Sequence, residues 1–498
     1  MEHTTATDVR DAETSVIVDL CVIGAGVCGV NALWVASQYL KPGARVALVD
    51  RRDEVGGMWI DTYDYVRLHQ PHPFFTAGNE KWTIDKPPEH LADKAEVIGH
   101  LQHCVEEVRK RVTLVDVMGR EAVAIEEIDS IVRVSCRNTA GDTLTVVADQ
   151  VIDASGLDIE TNPPLALSST RVRSVSPDEC DVRTGEIAAD NAPVWIIGSG
   201  KTAIDTAHTL IAHFPGREVN IVAGTGTVFA NRDLMYPKGL SRWWSGTRPN
   251  AILTGLADRF DGTNEAEVVD WFRSTYATQP IDGGKHFLLG ILSEGESDRV
   301  RAGLSRVVMG HLTDIVDEGE DVTMLTRTGD RVAIEPGSWV INCTGYFKKH
   351  EQLQEAPYIS ASGRVLSVGT SAMFGFSSFG GYFLTHLLFL GKLSTAPLLQ
   401  ADGNEMIGRS KVAATMAAVT LAQYNLLVTF EHVPLHVFED CGLDFDKWYP
   451  LPRRMVGQLK FLAGRKRRLA HYRKSLETLA ERFDLPLRTL AQPDGVMR

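Results

Sequence analysis

The sequence predicts an α/β chain built from two nested units of one kind, strand, glycine turn, helix, strand, with a helical extension behind them. Three observations carry this. The apolar, β-branched run Ser15–Ile23 enters a glycine-rich turn at 24–29 and then a helix-like stretch to about Leu40. A second apolar run, 194–197, enters a similar turn at 198–203. Two more short apolar runs, 150–153 and 340–343, each end in small residues and a glycine.

Taken in order, residues 1–14 are polar and read as a disordered lead. The run from Ser15 is continuous rather than alternating, the pattern of a strand buried on both faces. Pro42-Gly43 breaks the first helix, and 45–50 (RVALVD) is the second strand, so the first β-α-β unit is complete by Asp50. Residues 96–112 read as a helix, and alternating runs near 121–136 and 143–148 suit a small antiparallel insertion. Residues 157–192 are rich in Pro, Ser and Asp and read as a linker. The second unit opens at Val194, with its next strand at 218–223. Residues 250–310 read as a mostly helical insertion, 365–395 as strand, glycine turn and apolar helix, and the last hundred residues as helices. These readings divide the chain into one discontinuous domain, 15–156 with 340–398, a second domain, 190–339, and a helical region, 399–498.

Composition narrows the function. Lys and Arg number 51 against 64 Asp and Glu, a net charge of −13, which argues against nonspecific nucleic-acid binding by counterion release. No run of 18 consecutive apolar residues predicts a membrane span, and the polar N-terminus lacks the layout of a signal peptide. The seven cysteines include no Cys-x-x-Cys pair, which fits a reduced, cytoplasmic protein. No histidine and cysteine spacing predicts a metal site. The stretch 452–474 holds nine Lys/Arg and no Asp/Glu. It reads as a solvated basic helix face, with a membrane-surface or anionic-partner helix as the alternative.

The glycines have a physical logic. In Gly24-x-Gly26-x-x-Gly29 the first permits the tight turn, the second lets backbone approach a pyrophosphate, and the third lets helix and strand pack closely. The helix then offers free N–H groups and its positive dipole end to the phosphates. Asp50 closes the second strand 21 residues after Gly29, where a carboxylate accepts from ribose hydroxyls. The second cradle is Gly198-x-Gly200-Lys201-Thr202-Ala203, in which Lys201 adds a cation at the helix start. The strand after it does not end in an acid that would repel a 2′-phosphate. Thr225, Thr227 and Arg232 follow instead, which leans toward NADPH over NADH.

The segment Arg51-Arg52-Asp53-Glu54-Val55-Gly56-Gly57-Met58-Trp59 resembles the acid-then-Gly-Gly-x-Trp segment of the flavin-containing monooxygenase-like family. In that family the segment wraps the FAD pyrophosphate and approaches the flavin. Tyr65 to Pro71 resembles the stretch that carries a flavin-facing amide there, with Gln70 near the usual asparagine. Asp153-Ala154-Ser155-Gly156 and Asn342-Cys343-Thr344-Gly345-Tyr346 resemble the paired crossovers between FAD and NADPH domains, and Gly380-Gly381 opens a helix resembling one that points at the flavin. The resemblance covers roughly 17–395. It implies two nested Rossmann-like dinucleotide-binding domains that bind FAD and NADPH, and a monooxygenase using dioxygen through a flavin C4a-peroxide. Gly24, Gly26, Gly29, Asp50, Gly57, Met58, Trp59 and Gln70 would hold FAD. Gly198, Gly200, Lys201, Thr202, Ala203, Thr225 and Arg232 would hold NADPH. Arg67, His69 and Gln70 would stand near the flavin face.

The absence of Phe and His from 157–195 departs from the Phe-x-Gly-x-x-x-His-x-x-x-Trp segment of Baeyer–Villiger enzymes. It favours oxygenation of a heteroatom, an amine nitrogen of a small metabolite. Baeyer–Villiger chemistry and a non-oxygenating NADPH dehydrogenase or reductase stay open, as does a homo-oligomer. The mixed charged and aromatic segment 232–244 reads as a substrate lid or as loop packing.

Overall fold

The computed structural model describes residues 15–156, 161–345, 358–368 and 376–490. The 1–14 lead and Tyr346 therefore lie outside the described residues.

Ser15–Ile23 pairs in parallel with Arg45–Asp50 on one side and Thr143–Asp153 on the other, and Thr113–Met118 extends the sheet beyond Arg45–Asp50. Strands buried on both faces need a continuous apolar run, and every residue from Leu20 to Ala25 is buried. The runs at 143–148 and 150–153 are one strand. It also pairs antiparallel with Ile131–Arg137, which pairs in turn with Glu121–Ile128. The chain returns to this sheet at Val365–Ser367, beside Thr143–Asp153.

The second sheet has the order Arg306–Val308, Val219–Val222, Val194–Ile197, Trp339–Asn342, Arg173–Val175, all parallel. Two readings are corrected here and a third is extended. The strand at 339–342 belongs to the second sheet, with Trp339 opposite Val194, so the return to the first unit comes after it rather than at 340. The 157–192 segment is more than a linker, because Arg173–Val175 forms the sheet edge. The 250–310 insertion is helical over the larger part of its length, as read, and also holds a strand. Its helices Pro249–Arg259, Glu265–Tyr276 and Glu294–Gly303 enclose the strand His286–Leu292, which pairs in parallel with Thr227–Asn231. A short apolar run such as HFLLGIL has no periodicity to separate strand from buried helix.

Among the described residues the C-terminal region is mostly helical, with two short strands, Leu399–Ala401 and Leu487–Thr489, that pair antiparallel. Lys411–His432 is long and apolar enough to cross a membrane, but 83% of its apolar window is buried inside the protein, so it is a core helix here. Asp258 ties the insertion to the last long helix, accepting from Tyr472 Oη at 2.6 Å and from Arg468 Nε at 3.0 Å. Part of the basic stretch is thus docked on acids of the same chain, Arg465 on Glu431 and Arg468 on Asp258.

Candidate functional site

The two cradles are built alike. Gly24 and Gly198 have φ of +99° and +128°, conformations that side-chain-bearing residues rarely adopt. A Cβ at Gly24 would fall 2.3 Å from the Ala154 carbonyl oxygen, and one at Gly198 would fall 2.3 Å from the Cys343 carbonyl oxygen. Each crossover segment therefore presses on the first glycine of its own cradle. At the third position, a Cβ on Gly29 would fall 1.8 Å from the Gly24 carbonyl oxygen, so helix Val27–Tyr39 leaves no room there.

The middle glycines differ. A Cβ on Gly26 would meet only Gly57 Cα, at 3.4 Å, and one on Gly200 would meet nothing within 4 Å. The protein does not need these two to be glycine for its own packing. A group lying across the turn would.

The helix ends agree. Lys94–Arg109 and Glu294–Gly303 have complete capping boxes, in which Asp93 with Glu96 and Ser293 with Glu296 satisfy the first N–H groups. Val27–Tyr39 and Lys201–His213 start from Gly26 and Gly200 with no side-chain cap and no acid in the first turn. Their first donors are left for an anion. Ser377–Phe389 also starts uncapped, from Phe376. Gly381 serves a different end there: a Cβ would fall 2.3 Å from the Cys28 carbonyl oxygen, so this glycine lets two helices touch.

Asp50 is buried at the end of its strand. Its Oδ2 accepts from the Ala25 N–H at 2.6 Å and its Oδ1 from the Arg52 N–H at 2.9 Å, so the carboxylate also braces the glycine turn. The Gly56–Gly57 turn is stitched to the same loop by the Gly56 N–H on the Ala25 carbonyl, 3.1 Å. Met58 is half exposed at the start of the helix Met58–Asp61. Trp59 packs against the cores of both units and meets Phe75 edge-on at 5.6 Å.

Beyond Trp59 the segment is clamped to the second unit, which the sequence did not reveal. Tyr63 Oη donates to Asp205 at 2.9 Å, and Tyr65 Oη shares a hydrogen bond with Thr206 Oγ1 at 2.7 Å. Both partners lie on the second cradle helix. A bond between two hydroxyls contributes about 0.5–1.5 kcal/mol and one to a carboxylate about 1.5–3 kcal/mol. The only hint in the sequence is the aromatic run at 63–65 directly after Gly-Gly-x-Trp.

Lys201 forms an ion pair with Asp205 one turn on, and Ser199 and Thr227 hydroxyls meet at 3.2 Å beside the turn. Thr202 is half-buried at the same helix end and Ala203 is fully buried against the sheet.

Arg232 is corrected. Its guanidinium pairs with Glu296 and donates to the His69 carbonyl at 3.1 Å, so it joins the insertion to the first unit and is not offered to a phosphate. Thr225 sits between Gly224 and Gly226, both at positive φ, and its carbonyl accepts from the Lys285 N–H at 3.2 Å. Lys285 and His311 are the exposed basic side chains at this turn, and a Cβ on Gly224 would lie 3.2 Å from the His311 ring. Sequence distance hid them, since both come more than fifty residues after the strand they flank.

His69 is half-buried. Burial, with Lys201 and Arg232 nearby, holds its pKa well below the ordinary histidine value, so the ring is neutral. Gln70 is half-buried and its amide makes no hydrogen bond among the described residues. Arg67 is exposed and its backbone bridges Asp93, which removes it from this group of residues. The structure thus places His69 beside Arg232 and Lys201, with Gln70 next to it in the chain, and leaves Arg67 on the surface.

A small apolar cavity of about 50 Å³ lies beside the uncapped helix start, lined by Phe376, Phe379, Phe445, Leu253 and Ala422, with Gln423 among them.

Residues 18–242 match the family model described as pyridine nucleotide-disulphide oxidoreductase. A cyclohexanone monooxygenase from Rhodococcus sp. Phi1 bound to NADP+ aligns with a TM-score of 0.50 at 14% identity, covering 80% of this chain and 90% of that one. The chain has the fold of the two-dinucleotide-domain flavoproteins. Two other solved structures align at a TM-score of 0.43. The flavin-containing monooxygenase from Stenotrophomonas maltophilia is 14% identical and covers 76% of this chain and 97% of that one. The bacillithiol disulfide reductase from Staphylococcus aureus is 11% identical and covers 76% and 98%. Among curated proteins, uncharacterized proteins of Mycobacterium tuberculosis and Mycobacterium bovis are 40% identical over 57 residues, 11% of this chain. The chain spans about a tenth of the length of those relatives, 10%.

Proposed function

We propose that the chain is an NADPH- and dioxygen-dependent flavin monooxygenase that oxygenates the amine nitrogen of a small metabolite. The observation that carries this reading is the segment 56–70. It leaves the first cradle at Gly57 and is hydrogen-bonded to the second cradle helix through Tyr63 and Tyr65. Two redox cofactors held by the two cradles would meet along it.

Both sites fit their cofactors. Each has a middle glycine with room beside it, an uncapped helix start and a crossover behind the first glycine. In the first, Asp50 has lone pairs left for ribose hydroxyls. FAD supplies hydride acceptance and dioxygen activation when bound, with NADPH as the hydride donor.

The chain's own residues do the rest. The neutral His69 ring can donate one hydrogen bond and accept another without placing a fixed charge beside Gln70. Gln70 offers an unpaired amide. Phe376, Phe379 and Phe445 make a dry wall suited to the apolar body of an amine. The thiols argue against dithiol chemistry. Burial pushes Cys28 and Cys343 up to about 12 and Cys104 to about 11, and the seven cysteines form no disulfide.

Gln70→Ala tests the site. NADPH oxidation is expected within about twofold of the parent, while hydrogen peroxide per NADPH rises several-fold, an effect of about 1 kcal/mol on one hydrogen bond. Unchanged coupling removes Gln70 from the site.

Nucleotide choice falls to Lys285 and the Thr225 turn. Lys285→Glu should weaken NADPH relative to NADH by about tenfold, because it puts an acid where the 2′-phosphate would lie. Arg232→Ala should leave the ratio unchanged. Competitive titration of both nucleotides reads this, and a ratio that moves with Arg232 but not Lys285 refutes it.

A further inference from the structure

The helix Leu451–Ala463 carries most of its apolar residues on the wrong side for a helix that simply covers a soluble protein. Its inner face is Arg453, Arg454, Gly457 and Phe461, the last packed on the core. Gly457 is buried, and a Cβ there would fall 1.6 Å from the Arg248 guanidinium. Arg453 donates to the carbonyls of Arg242 at 3.0 Å and Gly246 at 2.9 Å. The outer face presents Leu451, Met455 and Leu459, spaced four apart on one stripe.

The carbonyls that hold Arg453 belong to the loop around Gly239–Trp243, which projects its own apolar side chains. Leu240 and Trp244 are each 73% exposed, Leu459 is 65% exposed and Trp243 50%. Two segments some two hundred residues apart are sewn together with leucines and tryptophans facing outward. A patch of this kind on a soluble surface marks a binding face.

The charge around it selects the partner. Lys238, Arg242, Lys460, Lys466 and Arg467 are exposed, and none is in an ion pair among the described residues. They stand in the same two segments and at the start of the helix that follows, and would form a basic rim on a chain whose net charge is −13. A second copy would bring two basic rims together, which like-charge repulsion opposes. A protein partner's interface core is depleted in lysine, and leucines do not serve nucleic acid. Tryptophan beside leucine, ringed by lysine and arginine, suits the boundary between headgroups and acyl chains.

We propose that this face docks on an anionic lipid bilayer, with Trp243, Trp244 and the Leu451, Met455, Leu459 stripe inserted and the basic rim on the headgroups. It does not depend on the reaction assigned above.

Co-sedimentation of the full-length protein with vesicles tests the proposal, without turnover. Vesicles of phosphatidylcholine containing phosphatidylglycerol should bind the protein about tenfold or more tighter than phosphatidylcholine alone, from several basic residues near the surface. Leu459→Glu, and Trp243→Ser with Trp244→Ser, should each remove most of that binding while the protein stays folded by circular dichroism. Tryptophan emission of the parent should shift to the blue on binding. Three outcomes overturn the proposal: no binding to anionic vesicles, binding that the Leu459 and tryptophan variants retain in full, or a dimer in sedimentation velocity that Leu459→Glu dissociates.

Discussion

Gly26→Val is expected to give a folded, colourless protein. A Cβ at Gly26 meets only Gly57 Cα, at the ordinary contact distance of 3.4 Å, so the apo fold has room for it. The isopropyl group then stands over the uncapped N–H groups of Val27–Tyr39, the place a pyrophosphate needs. Loss of those contacts should cost roughly 100-fold or more in FAD affinity, ~3 kcal/mol. Gly24 is no substitute for this test, because a side chain there collides with the Ala154 carbonyl and would destroy the turn itself. Circular dichroism and the flavin-to-protein absorbance ratio check the result. Full flavin occupancy in Gly26→Val refutes the FAD assignment of this cradle.

Gly200→Val should do the reverse: a yellow protein that NADPH no longer reduces. Its Cβ meets no protein atom within 4 Å, so the second unit should fold unchanged and keep its Tyr63 and Tyr65 clamp. Reduction by NADPH or NADH, followed anaerobically by bleaching of the flavin band, should slow by roughly 100-fold or more at fixed nucleotide, again ~3 kcal/mol. Dithionite should still bleach it. A variant that loses flavin together with reduction would show that the two cradles do not act separately.

The cradles were legible because their constraints are local: turn, helix start and strand end lie within about thirty residues of one another. The clamp was not, because Tyr63 and Asp205 are 142 residues apart and neither belongs to a spacing motif. Arg232 illustrates the same limit. Its position after the strand at 219–222 suggested a phosphate ligand, but Glu296, which a capping box holds at a helix start, claims its guanidinium. The strand 339–342 was read correctly as a strand and assigned to the wrong sheet, because a four-residue buried run says nothing of its neighbour. The exposed tryptophans were visible as a mixed charged and aromatic loop. Their joining to Leu451–Ala463 through Arg453 was not.

The central claim is that electrons pass from NADPH through FAD to dioxygen and that one oxygen atom reaches an amine. The most direct measurement reduces the FAD-loaded protein with one equivalent of NADPH in the absence of air, then admits ¹⁸O₂ with N,N-dimethylaniline present and cyclohexanone in a parallel run. The account predicts bleaching by NADPH, ¹⁸O in the N-oxide, and less hydrogen peroxide than NADPH consumed. Stoichiometric peroxide with no labelled product, or label in a lactone from cyclohexanone and none in the N-oxide, would contradict it.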